Sequence, residues 1–132
     1  MKKSNKKGFT LVELVIVIAV IAILAAVLIP TFSSIVKNAH ESAALQAARN
    51  AYTEIKLAVN ADLDNLTDEA TVTIEAEPAT PYAVGSVEAN VAAALNDTGV
   101  DSVTYTKATA TLEFVVGDYT VTYVVGGNWT VA

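Results

Sequence analysis

From Phe9 to Ile29 the chain carries a single ionisable side chain, Glu13, in an otherwise apolar run. Wound as a helix, that run is roughly 30 Å long, about the thickness of a bilayer's hydrocarbon core. Beyond Pro30 the pattern turns amphipathic. Phe32, Ile35 or Val36, Ala39, Ala43, Ala47, Ala51, Ile55 and Ala58 recur at spacings of three and four. Opposite them stand Lys37, Asn38, Glu41, Gln46, Arg49, Asn50 and Glu54. The two stretches predict one helix from Phe9 to about Ala61, roughly 80 Å long. Its first part is apolar all round, and its second has one stripe of small residues that a sheet can approach closely. Pro30 lacks an N–H and its ring opposes the carbonyl of Ala26, so a kink is expected there. A coiled coil is the competing reading of the second part, but an alanine-rich stripe makes a weak seam.

The remainder divides into a connecting region, 62–101, and a C-terminal meander, 102–132. Thr71-Val72-Thr73-Ile74-Glu75 reads as a short strand, and Pro78 and Pro81 mark turns. Ser86 can cap a short helix near 87–96 whose Val87, Val91 and Leu95 share a face, ended by Gly99. Gly117-Asp118 is a two-residue hairpin turn. It opposes Val116 with Tyr119, Phe114 with Val121 and Leu112 with Tyr123, all on one face. A turn at Lys107-Ala108 adds Val103 and Tyr105 to that face, and Gly126-Gly127-Asn128 brings in Trp129 and Val131. The expected fold is therefore α+β: a long N-terminal helix whose end docks on a four-stranded antiparallel sheet, a lollipop.

Charge separates the two ends. The net charge is −6, yet four of the eight lysines and arginines, Lys2, Lys3, Lys6 and Lys7, precede the apolar run. The body they leave behind is strongly acidic and has no field that attracts a phosphate backbone, so direct nucleic-acid binding is not expected. A basic leader before an apolar helix suits the cytoplasmic side of a membrane. There is no cysteine, so the head must hold together by packing alone.

A secretory signal has a similar basic start, but its apolar region is shorter, about 7–15 residues, and lacks a carboxylate. A plain membrane anchor fits the length and leaves Glu13 unexplained. A charged side chain within lipid costs roughly 2.5–3.5 kcal/mol on insertion scales and is usually functional, although near a helix start it can also snorkel to the headgroups. The run Lys6-Lys7-Gly8-Phe9-Thr10-Leu11-Val12-Glu13-Leu14 resembles the processing and assembly motif of type IV prepilins and the related pseudopilins. The resemblance covers the leader and first helix. It implies that a membrane peptidase removes residues 1–8 by cutting after Gly8 and methylates the new N-terminus, Phe9. It further implies that Glu13 meets the Phe9 ammonium of a neighbouring copy in a filament and so sets the assembly register. Residues 9–29 would be transmembrane segment and filament core in turn, and 30–61 their amphipathic continuation. Pilins of this kind often carry a helix-loosening glycine in the apolar run and a disulfide in the head. This chain has neither, and cysteine-free pilins are common in Gram-positive bacteria.

No constellation for catalysis or metal binding stands out. His40 is the only histidine, so a triad or zinc cluster lacks its parts, and neither an enzyme nor a cofactor is expected. The acidic run Asp62 to Glu69 fails as an EF-hand, which needs an oxygen ligand where Leu66 stands and a glycine at Thr67. By resemblance to major pseudopilins, Asp97, Asp101 and Asp118 are faint calcium candidates. Three N-x-T sequons, at Asn65, Asn96 and Asn128, predict little. The sequence thus leads to the expectation of a structural subunit, a major pilin, of a type IV pilus. Its partners would be its own copies, the prepilin peptidase and methylase, and a membrane assembly machine. A pseudopilin of a secretion or competence apparatus is the alternative, and a membrane-anchored binding module a more distant one.

Overall fold

The computed structural model describes residues 7–132; Lys2, Lys3 and Lys6, and with them most of the expected leader, lie outside the described residues. Helix α1 runs from Leu11 to Ala58. A 3-10 turn, Leu63–Leu66, follows it. Then come β1 (Thr71–Glu75), α2 (Val87–Thr98), β2 (Ser102–Thr106), β3 (Thr111–Val116), β4 (Tyr119–Val124) and β5 (Trp129–Val131). The chain separates into two compact units, residues up to Asn38 and residues Ala39–Ala132.

The second unit is a single antiparallel sheet in the order β1-β2-β3-β4-β5, with the last turns of α1 and the whole of α2 laid on one face. Its hairpin register follows from turn chemistry. Gly117, at φ 57°, takes the left-handed position of the two-residue turn and pairs Val116 with Tyr119, Phe114 with Val121 and Leu112 with Tyr123. A 3-10 turn at Lys107–Thr109, ending in a left-handed Ala110, then places Tyr105 opposite Leu112 and Val103 opposite Phe114. Val103, Tyr105, Leu112, Phe114 and Val121 are buried on one face. The sheet has a fifth strand beyond the four of the meander, because β1 pairs antiparallel with β2 from Thr71↔Thr106 to Glu75↔Ser102.

The opposite face is mostly threonine, with Glu75 and Glu113 among the hydroxyls. One row across all five strands reads Thr73, Thr104, Glu113, Thr122, Thr130. The first two share a hydrogen bond between hydroxyls, 2.9 Å. Alternation with a period of two thus sorts this sheet into a dry face and a wet one.

The buried stripe of α1 is Ala44, Ala48, Ala51 and Ile55; Ala47 is half-buried and Ala43 is exposed. The expected series Ala43, Ala47, Ala51, Ile55 is therefore corrected at its start. Successive steps of four advance more than a full turn and drift by about 40° each, so a stripe along one sheet needs a step of three among the fours. The helix also ends earlier than Ala61, because Asn60 and Ala61 take left-handed backbone angles of φ 54° and 65°. Their turn brings Leu63 and Leu66 into the core, so the acidic run Asp62 to Glu69 is an apolar anchor with its carboxylates outward. In α2, Val91, Ala92 and Leu95 are buried and Val87 is half-buried; Ser86 caps the start through Oγ and the Ala89 N–H, 3.1 Å, and Gly99 closes the end. Tyr105 donates its hydroxyl to Asp64 at 3.1 Å; burial, then that bond, push its phenol above the usual range.

Candidate functional site at the N-terminal helix

In the first unit none of the described residues covers the apolar run. Every large apolar side chain from Phe9 to Ile35 is exposed, Phe9 by 91%. The helix is long and apolar enough to cross a membrane. An uncovered apolar surface of this extent marks a place where lipid or protein belongs.

Gly8, Phe9 and Thr10 precede the helix and are exposed, with open space where a Cβ on Gly8 would stand. The helix then starts on a reciprocal cap. The Thr10 N–H donates to Glu13 Oε2 at 2.9 Å, and the Glu13 N–H donates to Thr10 Oγ1 at 3.3 Å. This is a capping box, two otherwise unsatisfied helix donors answered by two side chains. Phe9 and Leu14 stand one residue before the cap and four after it, the positions of a hydrophobic staple, and line the same apolar groove with Ile16 and Val17.

The box changes the account of Glu13. Its carboxylate turns back on the helix start, where the macrodipole favours negative charge by about 0.3–1 kcal/mol. This offsets only part of the insertion cost of roughly 2.5–3.5 kcal/mol. One lone pair is engaged by Thr10, and an ionised carboxylate offers about four acceptor positions. The side chain reaches the amide next to Phe9, so Glu13 lies nearer to Phe9 of its own chain than ideal helix geometry suggests. A cut between Gly8 and Phe9 would leave the Thr10 amide intact and the carboxylate in place. The local signal for the box was present as T-x-x-E before an apolar run.

At Pro30 helix α1 continues without interruption. The hydroxyls that follow are turned inward. Thr31 Oγ1 donates to the Val27 carbonyl at 3.0 Å, Ser33 Oγ to Ile29 at 3.3 Å and Ser34 Oγ to Thr31 at 2.9 Å. Each hydroxyl is thereby satisfied without water, as an apolar surrounding requires. Pro30 with Thr31, Ser33 and Ser34 is a polar seam that reading the proline alone did not reveal.

The other sequence candidates lie in the second unit and do not converge. Asp101 accepts from the Gly117 N–H at 2.7 Å and so fastens the β3–β4 turn. Asn96 donates to the Ala76 carbonyl at 2.9 Å and Asn65 to Val59 at 3.1 Å. His40 and Asn128 are exposed. Among the described residues no group of three or more His, Cys, Asp or Glu side chains is placed to hold a metal ion.

The first unit is thus an uncovered apolar helix preceded by a glycine–phenylalanine junction, and the second a one-layer antiparallel sheet with helix on one face. The family described as "Prokaryotic N-terminal methylation motif" matches residues 3–29. Among curated proteins, the type IV wide pilus major component PilA4 of Thermus thermophilus is 63% identical over 38 residues, 29% of each chain. The type IV major fimbrial protein FimA of Dichelobacter nodosus is 35% identical over 98 residues, 72% of this chain and 60% of its own length. The chain thus spans less than two thirds of either relative. No solved structure matches it significantly. In these matches the chain is similar to type IV pilins, most closely along its N-terminal segment.

Proposed function

We propose that this chain is a structural subunit, a major pilin, of a type IV pilus. The observation that carries the reading is the bare apolar helix introduced by Gly8-Phe9-Thr10 and holding its one acid, Glu13, at its start. Residues 1–8 are the leader. A prepilin peptidase cuts between Gly8 and Phe9, where a residue without a side chain lets the backbone lie close to the enzyme, and methylates Phe9. Before assembly the precursor crosses the cytoplasmic membrane once through residues 9–29, its N-terminus inside. A membrane machine then draws it into a filament on the cell surface. Residues 9–29 exchange lipid for the same segment of neighbouring copies, residues 30–58 carry the helix to the head, and the acidic head forms the outside. Close packing of these helices drives the exchange, since lipid and leucine are equally apolar. Pro30 and the seam after it give the helix a point at which to bend as it packs. A neighbour's Phe9 ammonium meets Glu13 and fixes the axial register, because a shifted subunit leaves both charges buried and unpaired.

The intact mass of the protein recovered from cell surfaces tests this. The expected chain begins at Phe9 and carries one added methyl group. A chain that retains its lysine leader sinks the reading. Gly8→Val is expected to leave full-length precursor in the membrane and no surface filaments, by immunoblot and electron microscopy.

A further inference from the structure

Strand β1 ends one side of the sheet, and its ladder shows which backbone groups face outward. The Ala76 N–H donates to the Asp101 carbonyl at 2.8 Å, and the Lys107 N–H donates to the Ala70 carbonyl at 2.9 Å. An antiparallel ladder alternates, so Val72 and Ile74 also bond to β2. The N–H and C=O of Thr71, Thr73 and Glu75 then point off the sheet. Such a row is a template on which another strand can pair.

One of the three positions is already answered. The Glu75 N–H donates to the Tyr82 hydroxyl at 3.0 Å. Tyr82 lies in the segment that joins β1 to α2, and its half-buried ring packs against the core. Pro78 and Pro81 keep that segment from serving as a strand itself, since neither has an N–H to offer a ladder. No such bond covers Thr71 or Thr73 among the described residues. With Tyr82 seated, the open part of the row is shorter than a usual strand of about five or six residues.

The row is also complementary to itself. A second β1 laid antiparallel about Thr73 sets Thr73 against Thr73 and each Glu75 against the other copy's Thr71. No like charges oppose each other, and the wet faces of the two sheets fall on the same side. Such a contact is two-fold and closes on itself. It needs the Glu75 N–H of both copies, so the two Tyr82 hydroxyls block it at both ends.

We propose that the segment after β1 guards the sheet edge, latched by the Tyr82 hydroxyl, and that what it keeps out is β1 of a second copy. Copies crowded into one membrane are thereby kept from pairing through their heads. The test uses the full chain in detergent. It has no cysteine, so Thr73→Cys supplies its sole thiol. Two such thiols stand opposite each other only in β1–β1 pairing, where Cα atoms about 5.5 Å apart suit a disulfide. Tyr82→Phe keeps the ring and removes the latch. Under mild oxidation it is expected to speed dimer formation by Thr73→Cys about two- to tenfold, the worth of one neutral hydrogen bond. Thr130→Cys, on β5 at the far edge, is expected to dimerise at the same rate with and without Tyr82→Phe. Equal Thr73→Cys rates with and without the hydroxyl overturn the guard. So does an equal rise at Thr130→Cys, because a general loosening of the head then accounts for both. Neither result touches the pilin reading, which stands on the N-terminal helix.

Discussion

Glu13→Ala is expected to leave the chain cleaved and membrane-inserted while reducing surface filaments by roughly a hundredfold or more. Two effects are removed together, and their sizes separate them. The capping box with Thr10 is worth about 1 kcal/mol, and a long apolar helix in lipid survives without it. Leaving a neighbour's ammonium buried without its carboxylate costs about 3–5 kcal/mol per contact, and every 1.4 kcal/mol is tenfold. Glu13→Gln sharpens the test, because an amide oxygen can still accept from the Thr10 N–H but carries no charge. Electron microscopy of sheared material, with mass spectrometry of the membrane fraction, reads both steps. Abundant filaments from the glutamine variant would reduce Glu13 to a helix cap, and abundant filaments from the alanine variant would remove it from assembly altogether.

The second large effect is expected in the head. Phe114 is fully buried beneath α1 and stacks at 5.9 Å on Trp129. Phe114→Ala should cost about 3–5 kcal/mol, a large share of the 5–15 kcal/mol that holds a domain of this size. No disulfide is available to limit the damage. Thermal or denaturant unfolding of the full chain in detergent would measure it. A loss below about 1 kcal/mol would mean that the inner face is not a close-packed core.

The parts of the fold that could be read from sequence are those in which one local rule decides. Gly117-Asp118 fixes a turn, the turn fixes a register, and a period of two then assigns Leu112, Phe114 and Val121 to one face. The apolar run needs only its length. Other features depend on a partner remote in sequence. Whether Thr71–Glu75 forms a lone strand or the sheet's fifth turns on its pairing with Ser102–Thr106, some thirty residues away. The exact stripe on α1 follows the direction from which the sheet approaches, which alanine spacing does not state. Leu63 and Leu66 are hidden in the sequence by acidic neighbours that suggest a solvated loop after the helix, whereas both leucines enter the core.

At the helix start the difficulty was different in kind. Glu13 was read for its charge, and the same residue also completes a backbone cap. The T-x-x-E spacing answers a backbone cap, which a purely electrostatic reading passes over. The hydroxyls of Thr31, Ser33 and Ser34 are a similar case. In a hydropathy pattern they look like a polar interruption, whereas in the helix they spend their polarity on its own carbonyls.

The row Thr73, Thr104, Glu113, Thr122, Thr130 backs onto the core without entering it. Because the sheet is one layer thick, each of these side chains can be exchanged with little disturbance to what lies beneath. The buried side alone holds the shape of the head, while substitutions along this row shift its stability by only about 0.5 kcal/mol each.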